Sequence, residues 1–177
     1  MINRRSAAVL VCILAAATGS LCACSKGKDR AASQSSLPAA TRASVEEAVS
    51  AYEAVREALA DDRSDVTAES QALADAARRG TAGAPEPLRH PLEDLSGAAD
   101  RLARVESGDL DAAREAFGEL SRTLIALLSK DPSLQEGRYV YECPMVDGYK
   151  KWVQVSEGTS NPYMGSKMLE CGTEAGF

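Results

Sequence analysis

Apolar residues recur along the middle of the chain with the period of a helix. Val45, Val49, Tyr52, Val55 and Leu59 fall at steps of three and four, so one face of this stretch is apolar and the opposite face is charged. Ser44 followed by Glu47 has the spacing of a capping box and predicts the helix start there. After Asp61-Asp62-Arg63-Ser64 a second periodic stretch carries Val66, Leu73 and Ala77. It stops at Gly80, with Arg78 and Arg79 placed to meet the negative end of a helix dipole. Beyond a loop at 80–87, Pro91 at a first helical position, Glu93 and Asp94 in the first turn, and Leu92, Leu95, Ala99, Leu102 and Val105 predict a third helix ending near Gly108. The fourth is the most regular. Asp109 stands as its cap, and Leu110, Ala113, Phe117, Leu120, Leu124 and Leu127 follow at steps of 3, 4, 3, 4 and 3 until Asp131-Pro132 breaks the pattern.

Short connections favour antiparallel neighbours, so the expected fold is all-α: an up-down four-helix bundle over 44–131. The ionisable residues of these helices fall mostly on the faces away from the apolar stripes, where charge is ordinarily solvated, and the bundle reads as a scaffold.

The pattern changes after Gly137. Six of the eight aromatic residues lie beyond it, with Met145, Met164, Met168, Cys143 and Cys171. Residues 138–143 and 151–155 alternate in the manner of strands on either side of Asp147-Gly148, which predicts a β-hairpin. Asn161-Pro162 and Gly165 mark a tight turn, and residues 166–170 have room for one helical turn. The expected architecture therefore adds a small Cys/Met-rich hairpin and turn module over 138–177.

The sulfur atoms of this module are the candidate chemistry. In an extended segment Cys143 and Met145 point to one side, and Met168 and Cys171 are neighbours on one face of a helical turn. Two thiolates with two thioethers form a soft ligand set that selects Cu(I), and by the same logic Ag(I), over oxygen-seeking ions. Zinc would more usually recruit imidazole or four thiolates. The single histidine, His90, is read as capping or exposed in the loop beside Pro91 and is not counted as a ligand. The competing reading is a structural disulfide between Cys143 and Cys171, with Met145 and Met168 merely packed beside it. The sequence leaves both states open.

The first residues describe an address. Arg4 and Arg5 precede an apolar run over 7–17, too short for a permanent membrane span, and Leu21-Cys22-Ala23-Cys24 follows. That tetrad resembles a bacterial lipobox. The resemblance implies cleavage of 1–23, lipid on Cys24 and, with Ser25 next, anchoring to the outer membrane from the periplasmic side. Residues 24–43 are polar and read as a flexible tether. An ordinary cleaved signal peptide is the alternative. With Cys12 and Cys22 cleaved off and Cys24 capped by lipid, Cys143 and Cys171 remain as the candidate thiols, in an oxidising compartment.

Charge narrows the function classes. With 20 Lys+Arg against 26 Asp+Glu in 177 residues the net charge is −6, and cleavage would remove two arginines and no acid. Non-specific nucleic-acid binding needs a basic face and is not expected. No Cys-x-x-Cys, glycine-rich phosphate loop or nucleophile-histidine pairing stands out, so neither an enzyme nor a small-molecule substrate is expected.

Tyr-x-Cys-Pro-Met at 141–145, then Gly148 and Trp152, then Asn-Pro-Tyr-x-Gly-x-x-Met-Leu-x-Cys-Gly at 161–172 resembles an uncharacterised periplasmic domain family. Its members are found alone or fused to the C-terminus of adaptor subunits of heavy-metal efflux pumps. Arg114, Phe117, Leu120 and Ser121 resemble the family's Arg-x-x-Phe-x-x-Leu-Ser segment, as does the stretch from Tyr52 to Leu59 followed by Ala60-Asp61-Asp62. The resemblance spans about 44–173. It implies a role in copper or silver handling, with Cys143, Met145, Met168 and Cys171 as metal ligands and an efflux-pump adaptor as partner. Met164 stands where the family more often has Tyr, as an extra soft ligand or a packing substitution.

Two functions follow as expectations. The first is a lipoprotein that binds Cu(I) or Ag(I) through these sulfurs, for buffering or transfer to an efflux system. The second is a disulfide-stapled envelope interaction module that binds a protein partner and no metal.

Overall fold

The computed structural model of the chain describes residues 37–177. The expectations for the signal segment, for Cys24 and for most of the tether lie outside these residues. Four helices come first: α1 (Ala39–Ala60), α2 (Thr67–Thr81), α3 (Glu86–Leu102) and α4 (Leu110–Leu128). Each consecutive pair packs together, and the apolar stripes meet in one core. Val45, Tyr52, Val55 and Leu59 of α1, Leu73 of α2, Leu92 and Leu95 of α3, and Phe117, Leu120, Leu124 and Leu127 of α4 are fully buried. Among the described residues no helix is long and apolar enough to cross a membrane.

Two helix starts differ from the sequence reading. α1 begins at Ala39, and Ser44 lies inside it rather than at a cap. Pro38 precedes the first turn, its carbonyl accepts the Arg42 N–H, and the Arg42 guanidinium reaches Ser133 Oγ at 2.7 Å. That tertiary contact continues the helix beyond the apolar stripe, through residues expected to belong to the tether. α3 begins at Glu86, so Pro91 and His90 are helical rather than initiating and looped. Pro87 occupies the first turn, where a missing N–H costs nothing, and Leu88 is buried below it. His90 is 81% exposed and faces Asp94 at 3.6 Å.

The ends also differ. α3 stops at Leu102, and a turn carries the chain to Gly108, whose N–H donates to Ser64 Oγ at 2.9 Å. Asp109 then caps α4 as expected, accepting the Ala112 N–H at 3.0 Å.

A short 3-10 turn (Pro132–Leu134) leads into the hairpin of β1 (Tyr139–Glu142) and β2 (Lys151–Gln154). The pairing is antiparallel, with Val140 opposite Val153 and Tyr141 opposite Trp152. Alternation puts the first pair on one face and the second on the other, and all four side chains are buried. A third strand, β3 (Thr173–Ala175), pairs antiparallel with β1 and gives the order β2-β1-β3. The hairpin pattern did not announce it, because Thr173-Glu174-Ala175 is too short and too exposed to alternate visibly. The expected helical turn at 166–170 is a 3-10 turn at Gly165–Lys167.

The sheet joins the bundle through a run of aromatic rings. Tyr52 stacks on Phe117 with centroids 5.1 Å apart, Phe117 meets Tyr163 edge-on at 5.6 Å, and Tyr163 meets Trp152 edge-on at 6.1 Å. Trp152 continues to Tyr141 at 5.8 Å. Rings in such offset or edge contacts contribute roughly 0.5–1.5 kcal/mol per pair beyond their area burial.

Candidate functional site

The chain between β2 and β3 is organised by one buried side chain. Asn161 is fully buried, and its Oδ1 accepts the N–H groups of Tyr163 at 2.9 Å and Met164 at 3.1 Å. Its Nδ2 donates to the Cys171 carbonyl at 2.8 Å, and its own N–H donates to the Leu169 carbonyl. The Asn-Pro turn thus folds residues 161–171 back on themselves and delivers Cys171 to the end of β1. There Cys143 and Cys171 form a disulfide with Cα atoms 5.6 Å apart. Cys143 is fully buried and Cys171 is partly exposed.

Packing around the bridge is close. A Cβ at Gly172 would lie 2.8 Å from the Trp152 ring, so only glycine lets the strand approach the indole. Gln154, also buried, accepts the Trp152 Nε1–H at 3.0 Å and donates to the Gly158 carbonyl.

The thioethers are arranged differently from the thiols. Met145 follows Cys143 into the β1-β2 connection and is 62% exposed, the most exposed large apolar side chain among the described residues. It lines a groove of about 960 Å³ against α4, together with Met164. Met168 lines a separate, shallower depression with Leu169, Glu170 and Cys171. The structure therefore brings the two cysteines together and gives Met145 and Met168 to different depressions. Among the described residues no group of three or more His, Cys, Asp or Glu side chains is placed to hold a metal ion.

Three polar contacts clamp this cap to the bundle. The Tyr52 hydroxyl shares a hydrogen bond with Ser121 Oγ at 2.6 Å and accepts the Val153 N–H of β2 at 3.2 Å. Burial pushes the Tyr52 phenol well above its ordinary range, with the Ser121 and Val153 bonds acting in the opposite sense. Arg114 of α4 donates to the Pro162 carbonyl at 2.9 Å, to the Leu59 carbonyl at 3.0 Å and to Asp62 Oδ1 at 2.6 Å. Asp62, in the left-handed region at φ 58°, accepts from Ser166 as well. The Ser166 hydroxyl foremost, then Arg114, hold its carboxyl down at about 2.

The third clamp is an exception to the expectation that the bundle's charges fall mostly on outward faces. Arg56 is only 3% exposed; its guanidinium donates to the Ser160 carbonyl at 2.9 Å and to Glu53 at 2.7 Å. Sequence reading missed Arg56 and Gln154 as structural groups: Arg56 meets Ser160 only once the cap has folded onto α1, and the partners of Gln154 lie within the cap itself, at Trp152, Ser156 and Gly158. Arg114 and Ser121 were singled out by resemblance alone and Tyr52 and Phe117 by periodicity as well, and the four converge on the Asn-Pro turn and β2.

No family model matches the chain, and no curated protein or solved structure matches it either.

Proposed function

We propose that the chain is a lipid-tethered module of the bacterial envelope that works by binding a protein partner, with its C-terminal cap stapled by the Cys143–Cys171 disulfide. In this reading Cys24 carries the lipid, the outer membrane holds the anchor on its periplasmic side, and the four helices run up and down as a rigid stalk. The chain belongs to the periplasmic family whose motifs it carries, and an efflux-pump adaptor is the partner that membership implies. It performs no bond-making chemistry.

The observation that carries the reading is the closed disulfide. Both thiols are spent on each other, and a thiolate is what a soft metal would need. The two thioethers that would complete the ligand set line different depressions. What remains on the surface is an exposed thioether, an amphipathic groove and a rigid support, which suit recognition rather than ion capture.

One observation favours the second reading, Cu(I) or Ag(I) binding through Cys143, Met145, Met168 and Cys171. The Cα atoms of the two cysteines are 5.6 Å apart, so reduction would release two thiols side by side. Titration of the oxidised and the reduced chain with Cu(I) against a competing chelator, read by native mass spectrometry, separates the readings. The oxidised chain is expected to retain no copper, and Met145→Leu with Met168→Leu to change nothing. One Cu(I) retained against the chelator by the reduced chain, and lost on those substitutions, would replace the binding-module reading with the metal one.

A further inference from the structure

A surface depression of about 960 Å³ runs between α4 and the β1-β2 connection, and its charges are unevenly matched. Asp111, Glu115, Glu119 and Asp147 contribute four carboxylates; Arg114 and Arg122 contribute two guanidinium groups. Both arginines are committed. Arg114 is 12% exposed and holds Asp62 and two backbone carbonyls. Arg122 pairs with Glu119 and lies over the Tyr149 ring, 5.6 Å from its centroid. Among the described residues no cation pairs with Asp111, Glu115 or Asp147, and all three are exposed.

Between these carboxylates the groove also presents apolar side chains. Met145 stands out from the connection, Met164 and Tyr163 lie across from it, and half-buried Tyr149 forms part of the wall. Gly118 makes this wall continuous with α4: a Cβ there would meet Tyr149 at 3.5 Å, so the loop rests directly on the helix. Methionine adapts its shape to an apolar partner without a fixed geometry of its own. Unpaired acids bordering an adaptable apolar strip complement a segment that alternates Lys or Arg with apolar side chains. A second copy of this chain is a poor occupant, since its net charge is −6 and like charges would meet.

We propose that this groove receives a cationic amphipathic segment of the partner protein, its Lys or Arg side chains meeting Asp111, Glu115 and Asp147 and its apolar side chains packing on Met145 and Met164. The assignment rests on the binding-module reading and specifies where and what that module binds.

The test uses the full chain in nanodiscs of zwitterionic lipid, first alkylated without reductant to verify that Cys143 and Cys171 are closed. A fluorescein-labelled Lys/Leu amphipathic peptide is titrated and followed by anisotropy, with empty nanodiscs as blank. Asp111→Lys with Glu115→Lys is expected to weaken binding about tenfold, equivalent to about 1.4 kcal/mol. Glu115→Lys with Asp147→Lys, which spares the first turn of α4, should do the same. Glu106→Lys with Glu136→Lys adds the same net charge away from the groove and should weaken binding less than about threefold, the range of general screening effects. Trp152 emission checks that each variant is folded. Equal weakening by groove and control variants, binding to empty nanodiscs alone, or no binding to the chain would overturn the groove assignment and leave the closed disulfide standing. Free thiols at the first step would instead overturn the module reading itself.

Discussion

Tyr52→Phe removes one oxygen and two hydrogen bonds from the joint between bundle and sheet. The phenolic oxygen lies 2.6 Å from Ser121 Oγ and 3.2 Å from the Val153 nitrogen, and all three residues are essentially excluded from solvent. Ser121, in mid-helix, can turn its hydroxyl to a carbonyl one turn back, so its loss is close to the net value of one bond, about 1 kcal/mol. The Val153 N–H has no such freedom; leaving it buried without an acceptor costs about 1–3 kcal/mol. The ring contact with Phe117 at 5.1 Å is retained. The sum is about 2–4 kcal/mol. Urea unfolding followed by the emission of Trp152, the chain's only tryptophan and the neighbour of Val153, reads it directly. A Ser121→Ala cycle should return a coupling of about 1 kcal/mol. The same variant has a pH signature. Burial raises the folded-state pKa of Tyr52, so its contribution is complete below the unfolded value near 10 and is lost as pH rises beyond that. Wild type should therefore lose stability above pH 10 more steeply than Tyr52→Phe. A loss below about 0.5 kcal/mol with no change in the alkaline limb would refute the claim that this hydroxyl joins the two parts.

At the opposite pH limit, the Asp62 carboxyl is depressed to about 2, so its contribution is present above the ordinary value of 3.8 and lost as pH falls toward 2; Asp62→Asn should flatten that limb of a melting-temperature profile. Gly165 sits at φ 52° with Asp62 and Arg114 where a Cβ would go, so Gly165→Ala should cost at least about 1–2 kcal/mol from the left-handed backbone alone. Calorimetry should show that loss shrinking when Asp62→Ala makes room. Replacing Cys143 and Cys171 by Ser opens a link between residues 28 apart; the chain-entropy relation puts the loss at about 3.6 kcal/mol, which a urea titration with and without reductant measures.

The helices were legible because burial on one side of a helix repeats every three or four residues. Val45 to Leu59 and Leu110 to Leu127 state that face without help from elsewhere. The starts of α1 and α3 were not legible, since Arg42 finds Ser133 and Leu88 finds the core only after the chain has folded. The hairpin was visible in its alternation, while β3 is a strand chiefly because the disulfide and Asn161 hold it beside β1. The sulfur pairs illustrate the same division. Spacing put each methionine near a cysteine, but whether the two pairs share one site depends on the directions taken by the β1-β2 connection and the 3-10 turn. Those directions send Met145 to the α4 groove and Met168 to another depression. Arg56 was overlooked for a physical reason too: a charged residue on a helix is normally solvated, and its partner at Ser160 is 104 positions away.

The state of the two cysteines in the cell tests the account most directly. The chain is precipitated from intact envelopes in acid, which freezes thiol exchange, then alkylated before and after reduction and mapped by mass spectrometry, with copper and silver measured on the same material. The account predicts that Cys143 and Cys171 resist the first alkylation, accept the second, and carry no stoichiometric metal. Both thiols modified at the first step, or one copper or silver ion per chain, would contradict it.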